Sequence, residues 1–99
     1  MDALFLYSND EIKNIIGKKI KNYRIDLGYS QKDLAKRSGI SIHSISNIEN
    51  GNGVTLDNLI NIMRALNILN NIDNLVPDVA SNPFDIDIGI TNRQRVRKK

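Results

Sequence analysis

Ser30-Gln31-Lys32-Asp33-Leu34-Ala35-Lys36-Arg37-Ser38-Gly39-Ile40-Ser41-Ile42-His43-Ser44-Ile45-Ser46-Asn47-Ile48-Glu49-Asn50-Gly51 is the stretch whose reading decides the fold. It spells two short helices joined at Gly39. Ser30 and Asp33 make a serine-led capping box, a local signal that starts a helix. Leu34 and Ala35 face inward, and Ala35 is small where two helices must approach closely. Gly39 supplies a left-handed stop at little conformational cost. Ser41 then caps a second helix, with Ile42, Ile45 and Ile48 as a spaced apolar set. With Ile45 and Ile48 anchored to a core, Ile42, His43, Ser44, Ser46 and Asn47 are left on or near the exposed side.

Moving outward toward the N-terminus, Ser8-Asn9-Asp10-Glu11 is another capping box. The helix after it carries Ile12, Ile15, Ile16, Ile20, Tyr23 and Leu27 at helical spacing, which defines an expected buried face. Lys13, Lys18, Lys19 and Lys21 belong mainly to its wet side, and Gly28 stands where the helix should end. The apolar residues ahead of it (Leu4-Phe5-Leu6-Tyr7) fit a short strand, a helical cap over the core, or a contact between copies.

Toward the C-terminus, Asn50-Gly51-Asn52-Gly53 is a turn signal. Thr55 caps a fourth helix whose expected buried side is Leu56, Leu59, Ile60, Met63 and Leu66. A short fifth helix over about 71–76 adds Ile72 and Leu75 before Pro77 stops it. Capped helices with brief joints and no alternating pattern indicate an all-α bundle. After Pro77 the character changes: Val79, Phe84, Ile86, Ile88 and Ile90 are apolar, and Asp85-Ile86-Asp87-Ile88 alternate as in an exposed strand. This reads as an extended arm that packs on the domain, on a second copy, or on another protein. The expected organisation is an N-terminal apolar segment (1–8), a helical domain (9–76), an acidic-apolar arm (77–92) and a basic tail (93–99).

Ninety-nine residues, 40% of them hydrophobic, suffice for one small domain with one core. The absence of cysteine excludes disulfides, thiol nucleophiles and cysteine-based zinc sites. No apolar run approaches the ~20 residues of a membrane span. Leu4 to Tyr7 is too short for a signal-peptide core and has no basic residue before it. A soluble cytoplasmic protein is the expectation. The formal net charge of +3 is unevenly spread. Residues 9–76 hold nine Lys/Arg against seven Asp/Glu, 77–92 hold Asp78, Asp85 and Asp87 with no base, and 93–99 hold five bases with no acid. A basic terminal arm on a small helical domain suits nucleic acid, although terminal charge runs also serve solubility alone.

Enzyme chemistry finds no support. Ser41 with His43 lacks the oriented third group a nucleophile needs, and capping already explains Ser41. Asp85 and Asp87 are two carboxylates without further ligands. Gly51-Asn52-Gly53 is a turn, not a phosphate-binding loop. The chain is expected to be no enzyme and to need no cofactor or metal.

The residues Ser30-Gln31, Leu34-Ala35, Gly39, Ser41, Ile45, Ile48-Glu49-Asn50-Gly51 and, later, Leu59 and Leu66 resemble the Xre, or lambda-repressor-like, helix-turn-helix regulators. The resemblance covers about 11–76. It implies a five-helix all-α fold and sequence-specific binding of a double-stranded DNA operator, with the third helix of the chain in the major groove. Ile42, His43, Ser46 and Asn47 are then the base-reading candidates. His43 and Asn47 are four residues apart and share a face; asparagine pairs bidentately with adenine. Ile42 could touch a thymine methyl or be buried. Gln31, Ser41, Ser44, Asn50, Asn52 and Thr55 are the phosphate candidates, joined by Arg93, Arg95 and Arg97 of the tail. The resemblance also implies an ion pair between Arg24 and Glu49. The chain departs from the family pattern at Val54, where a basic residue is usual, and the tail is the candidate to compensate.

Ser81-Asn82-Pro83-Phe84 and Arg93-Gln94-Arg95-Val96-Arg97 resemble a narrower group, regulators of the HipB antitoxin type. That resemblance implies autorepression of an operon and a HipA-like kinase toxin as partner. The alternatives are a stand-alone phage-type or metabolic repressor without a toxin partner, and a protein-interaction module using the same helices. A homodimer is expected, because one short helix reads few bases and two half-sites about 34 Å apart multiply specificity.

Overall fold

The computed structural model describes residues 3–79. A 3-10 turn (Ala3–Leu6) precedes α1 (Asn9–Asp26), α2 (Gln31–Ser38), α3 (Ile42–Glu49) and α4 (Leu56–Ala65). A second 3-10 turn (Leu69–Asn71) leads into α5 (Ile72–Leu75). There is no strand among the described residues. The strand-like alternation of 85–88 and the whole basic tail lie outside them. The chain divides into two units, Met1–Leu69 with α1 to α4 and Asn70–Lys99 with α5.

The helix starts follow from local chemistry. Ser8 Oγ accepts from the Glu11 amide at 3.1 Å, and Glu11 Oε1 accepts from the Ser8 amide at 2.7 Å. Ser30 and Asp33 repeat this reciprocal box at 3.0 and 2.9 Å. Ser41 accepts from the Ser44 amide and Thr55 from the Asn58 amide. Each cap satisfies an amide that has no partner within the helix, worth about 1 kcal/mol. At the end of α1 the Gly28 amide donates to the Ile25 carbonyl and the Tyr29 amide to the Arg24 carbonyl, with Gly28 at φ +79°. These are the two bonds of a Schellman stop. Gly39 ends α2 at φ +73°.

Ile20, Leu34, Ile40, Ile45, Ile48, Ile62 and Leu66 form the core of the first unit, with Ile16, Tyr29, Ala35, Val54, Leu59, Ala65 and Ile68 packed against it. α3 packs on α1 and α2, and α2 packs on α4. Two inward faces differ from the sequence expectation. On α1 the buried line is Gly17, Ile20 and Arg24, while Tyr23 and Leu27 are exposed. At α4 Leu66 is buried and Leu59 packs on the core as expected, but Ile62 is wholly buried and Leu56 is 63% exposed. In both helices the apolar arc is broader than a single line of contacts, and the contacting helix selects which line turns inward. Ile40, in the turn between α2 and α3, is also buried. The N-terminal segment is neither a strand nor a cap over the core: Leu4, Phe5 and Leu6 all stand exposed.

Candidate nucleic-acid interface

α3 is held by three contacts, two from α1 and one from α2. The Arg24 guanidinium on α1 grips the Glu49 carboxylate at the end of α3, Nε to Oε2 at 2.7 Å and Nη2 to Oε1 at 3.1 Å. Both side chains are buried, so the charges gain from each other what they lose in hydration only because the fork is complete. Arg24 Nη1 also donates to the Tyr29 carbonyl at 2.9 Å, on the chain that has just left the Schellman stop. Gln31, the first residue of α2, donates from Nε2 to Glu49 Oε1 at 3.1 Å. The Gln31 amide therefore ties the start of α2 to the end of α3. Arg37 of α2 lies over the Tyr29 ring at 4.3 Å, a cation–π contact.

Gly17 supplies the third hold. A Cβ there would lie 2.9 Å from the Glu49 carbonyl oxygen and closer still to that of Ile48. The backbone of α1 thus rests directly on the last turn of α3.

On the opposite side α3 presents its polar row. His43 Nε2 and Asn47 Nδ2 are 3.2 Å apart. If Asn47 donates, the histidine nitrogen accepts, so the two side chains form one hydrogen-bonded unit. His43 is exposed, and Asn47 and Ser46 are half-buried. Ile42 is exposed, so the alternative in which it joins the core fails. The Ser41 hydroxyl serves the cap and donates to Ser44 Oγ at 3.0 Å. Asn50 closes α3 with its amide bonded to the Ser46 carbonyl, and Asn52 returns its amide to the Asn47 carbonyl. Asn50 and Asn52 are exposed along the turn. Thr55 Oγ1 caps α4. Arg93, Arg95 and Arg97 lie outside the described residues.

The turn after α3 carries two left-handed glycines, Gly51 at φ +88° and Gly53 at φ +100°. Each also faces a side chain from the start of α1. The Asn14 side chain packs against Gly51, and the Lys13 aliphatic chain lies 3.6 Å from where a Gly53 Cβ would sit. An open groove results, lined by Lys13, Ser44, Asn47, Asn52, Thr55 and Asn58 among others. Lys13, Asn14 and Gly17 were not among the site residues expected from sequence. A glycine inside a helix is a weak signal for Gly17; nothing local marks Lys13.

At α2, Asp33 is held below its ordinary carboxylate range, first by the Ser30 amide and then by the Ser30 hydroxyl, both donating to the charged form. No group of three or more metal-ligating side chains occurs among the described residues. None of the described helices is long and apolar enough to cross a membrane.

No curated protein gives a match to the chain. A helix-turn-helix family model matches residues 20–69, just over half of the sequence, from the middle of α1 to the end of the first unit. With the capped α2–Gly39–α3 pair inside that span, the chain belongs to the Xre, lambda-repressor-like helix-turn-helix family of DNA-binding transcription regulators.

Proposed function

We propose that the protein is a sequence-specific repressor that binds its operator as a homodimer. α3 lies in the major groove with His43 and Asn47 toward base edges, Ser46 and Ile42 beside them. The observation that carries this reading is the hydrogen-bonded pair of exposed His43 and half-buried Asn47 on a helix immobilised from behind by Arg24, Glu49 and Gln31. A reading helix must keep its orientation before it meets DNA, since a misplaced donor loses its base. Gln31, Ser41, Ser44, Asn50, Asn52 and Thr55 supply the phosphate contacts that set register. The reading face is modest in charge, so a second copy supplies the remaining affinity.

The narrower reading adds an antitoxin role, with a HipA-like kinase bound by the segment beyond Pro77. It rests on Ser81-Asn82-Pro83-Phe84 and on Arg93, Arg95 and Arg97 of the sequence. Co-purification of a kinase encoded beside this chain, lost on truncation after Val79, supports it; a solitary gene sinks it.

Binding of the full chain to its own upstream DNA and to an unrelated duplex of equal length, across a salt series, tests the main reading. Specific binding gives a marked preference for the upstream duplex and an affinity that falls steeply with salt. Equal, weak binding to both duplexes overturns it.

A further inference from the structure

We infer that Lys13 is a DNA-backbone contact, the cation of a phosphate subsite in the groove between the start of α1 and the turn joining α3 to α4. This rests on the DNA-binding reading and adds to it a residue from outside the matched segment. Residues 38 to 63 contain no lysine or arginine, so α3 and its following turn bring no cation of their own. A surface that binds a polyanion gains most of its sequence-independent affinity from neutralising phosphates. The tertiary fold supplies the missing charge. Lys13 runs along Gly53, its Nζ 3.8 Å from the position of a Gly53 Cβ, and opens onto the groove shared with Asn47 of the reading row. The other polar groups named on that groove, Ser44, Asn47, Asn52, Thr55 and Asn58, are neutral donors or acceptors, and none is a carboxylate. Gly53 has no side chain to displace the lysine. The approach of Lys13 to Asp10 is long, 3.8 Å, with both side chains well exposed. Such a pair binds the ammonium weakly and yields it readily to a phosphate. The contact positions the protein along the duplex and carries no base information.

The test titrates the full chain, as parent, Lys13→Gln, Lys13→Arg and Lys19→Gln, onto its own upstream duplex and an unrelated duplex at a series of salt concentrations. Lys19 lines a different groove, with Asn22, Tyr23 and Asp26. Lys13→Gln flattens the dependence of log affinity on log salt by about 0.9 per protomer, hence about 1.8 for the bound homodimer, on both duplexes. Over a fourfold rise in salt, the homodimeric variant therefore loses roughly 12-fold less affinity than the parent. Lys13→Arg and Lys19→Gln keep the parental slope. An unchanged slope in Lys13→Gln, an equal change in Lys19→Gln, or a loss confined to the upstream duplex overturns the Lys13 contact alone. A parent that binds neither duplex in a salt-dependent way overturns the DNA-binding reading together with it.

Discussion

Arg24 and Glu49, twenty-five residues apart, meet as a two-bonded fork, Nε–Oε2 at 2.7 Å and Nη2–Oε1 at 3.1 Å, with the carboxylate almost wholly buried. One end of this fork is fixed to α1 and the other to the last turn of α3. The orientation of α3 is therefore set in part by a polar contact inside the protein. Leu34, Ile45 and Ile62 provide the depth of the core, but apolar packing alone tolerates small rotations that a forked ion pair does not.

Arg24→Ala leaves the Glu49 carboxylate buried with Gln31 as its remaining side-chain partner. Stranding a buried charge costs about 3–5 kcal/mol. Chemical denaturation should show a loss of that size, with DNA affinity falling at temperatures where the fold survives. Arg24→Lys should recover part of it, because an ammonium cannot form the planar fork. Parental stability and affinity in Arg24→Ala would remove the fork from the account of helix orientation.

Gly17→Ala has a diagnostic sign. In an unobstructed helix interior, alanine stabilises by up to about 1 kcal/mol relative to glycine. Here the new methyl meets the carbonyl oxygens of Ile48 and Glu49, backbone atoms that cannot swing aside. A net loss of about 1–3 kcal/mol is expected from overpacking, read as a lowered midpoint of thermal unfolding. Stabilisation by the substitution would show that α1 and α3 do not touch as described.

His43→Ala and Asn47→Ala should relax sequence preference while leaving the fold intact, since both side chains sit on the outer row of α3 and touch each other. Each lost base contact should reduce discrimination by about 1–3 kcal/mol, measured as the ratio of affinities for the upstream and unrelated duplexes. Because the two residues form one unit, the double variant should lose less than the sum of the singles. Strict additivity would argue that they act separately.

Asp33 gives a pH signature. Its folded pKa lies below the ordinary value of 3.8, through the Ser30 amide and hydroxyl. A carboxylate whose folded pKa is lowered contributes stability that is full above the unfolded value and fades as pH falls through the folded one. The stability difference between the parent and Asp33→Asn should therefore hold steady at neutral pH and shrink only below about 3.8. A difference that vanished on raising pH would contradict the capping box.

Much of the architecture was legible because its signals are local. Ser8, Ser30, Ser41 and Thr55 each reach an amide three residues on, and Gly28 and Gly39 need only their own backbone angles. Such features lie within a turn of chain and survive any choice of neighbour. The inward faces did not follow so directly. Leu56, Leu59, Ile60, Ile62 and Met63 of α4, with its cap residue Leu66, spread over one arc of about 160°, and Leu56 and Ile62 lie well apart on it. Sequence spacing alone favours Leu56, yet Ile62 is the residue without exposure.

By itself, then, the sequence determined the helices, their ends and the polar row Ser41, His43, Ser44, Ser46 and Asn47, because caps, stops and helical periodicity act over a few residues. The tertiary structure decided which lines of α1 and α4 turn inward, and it brought Gly17 onto the end of α3 and Lys13 beside Gly53. Those outcomes depend on how helices distant in sequence cross, and that crossing is set by the joint packing of a whole core, which no short window of residues contains.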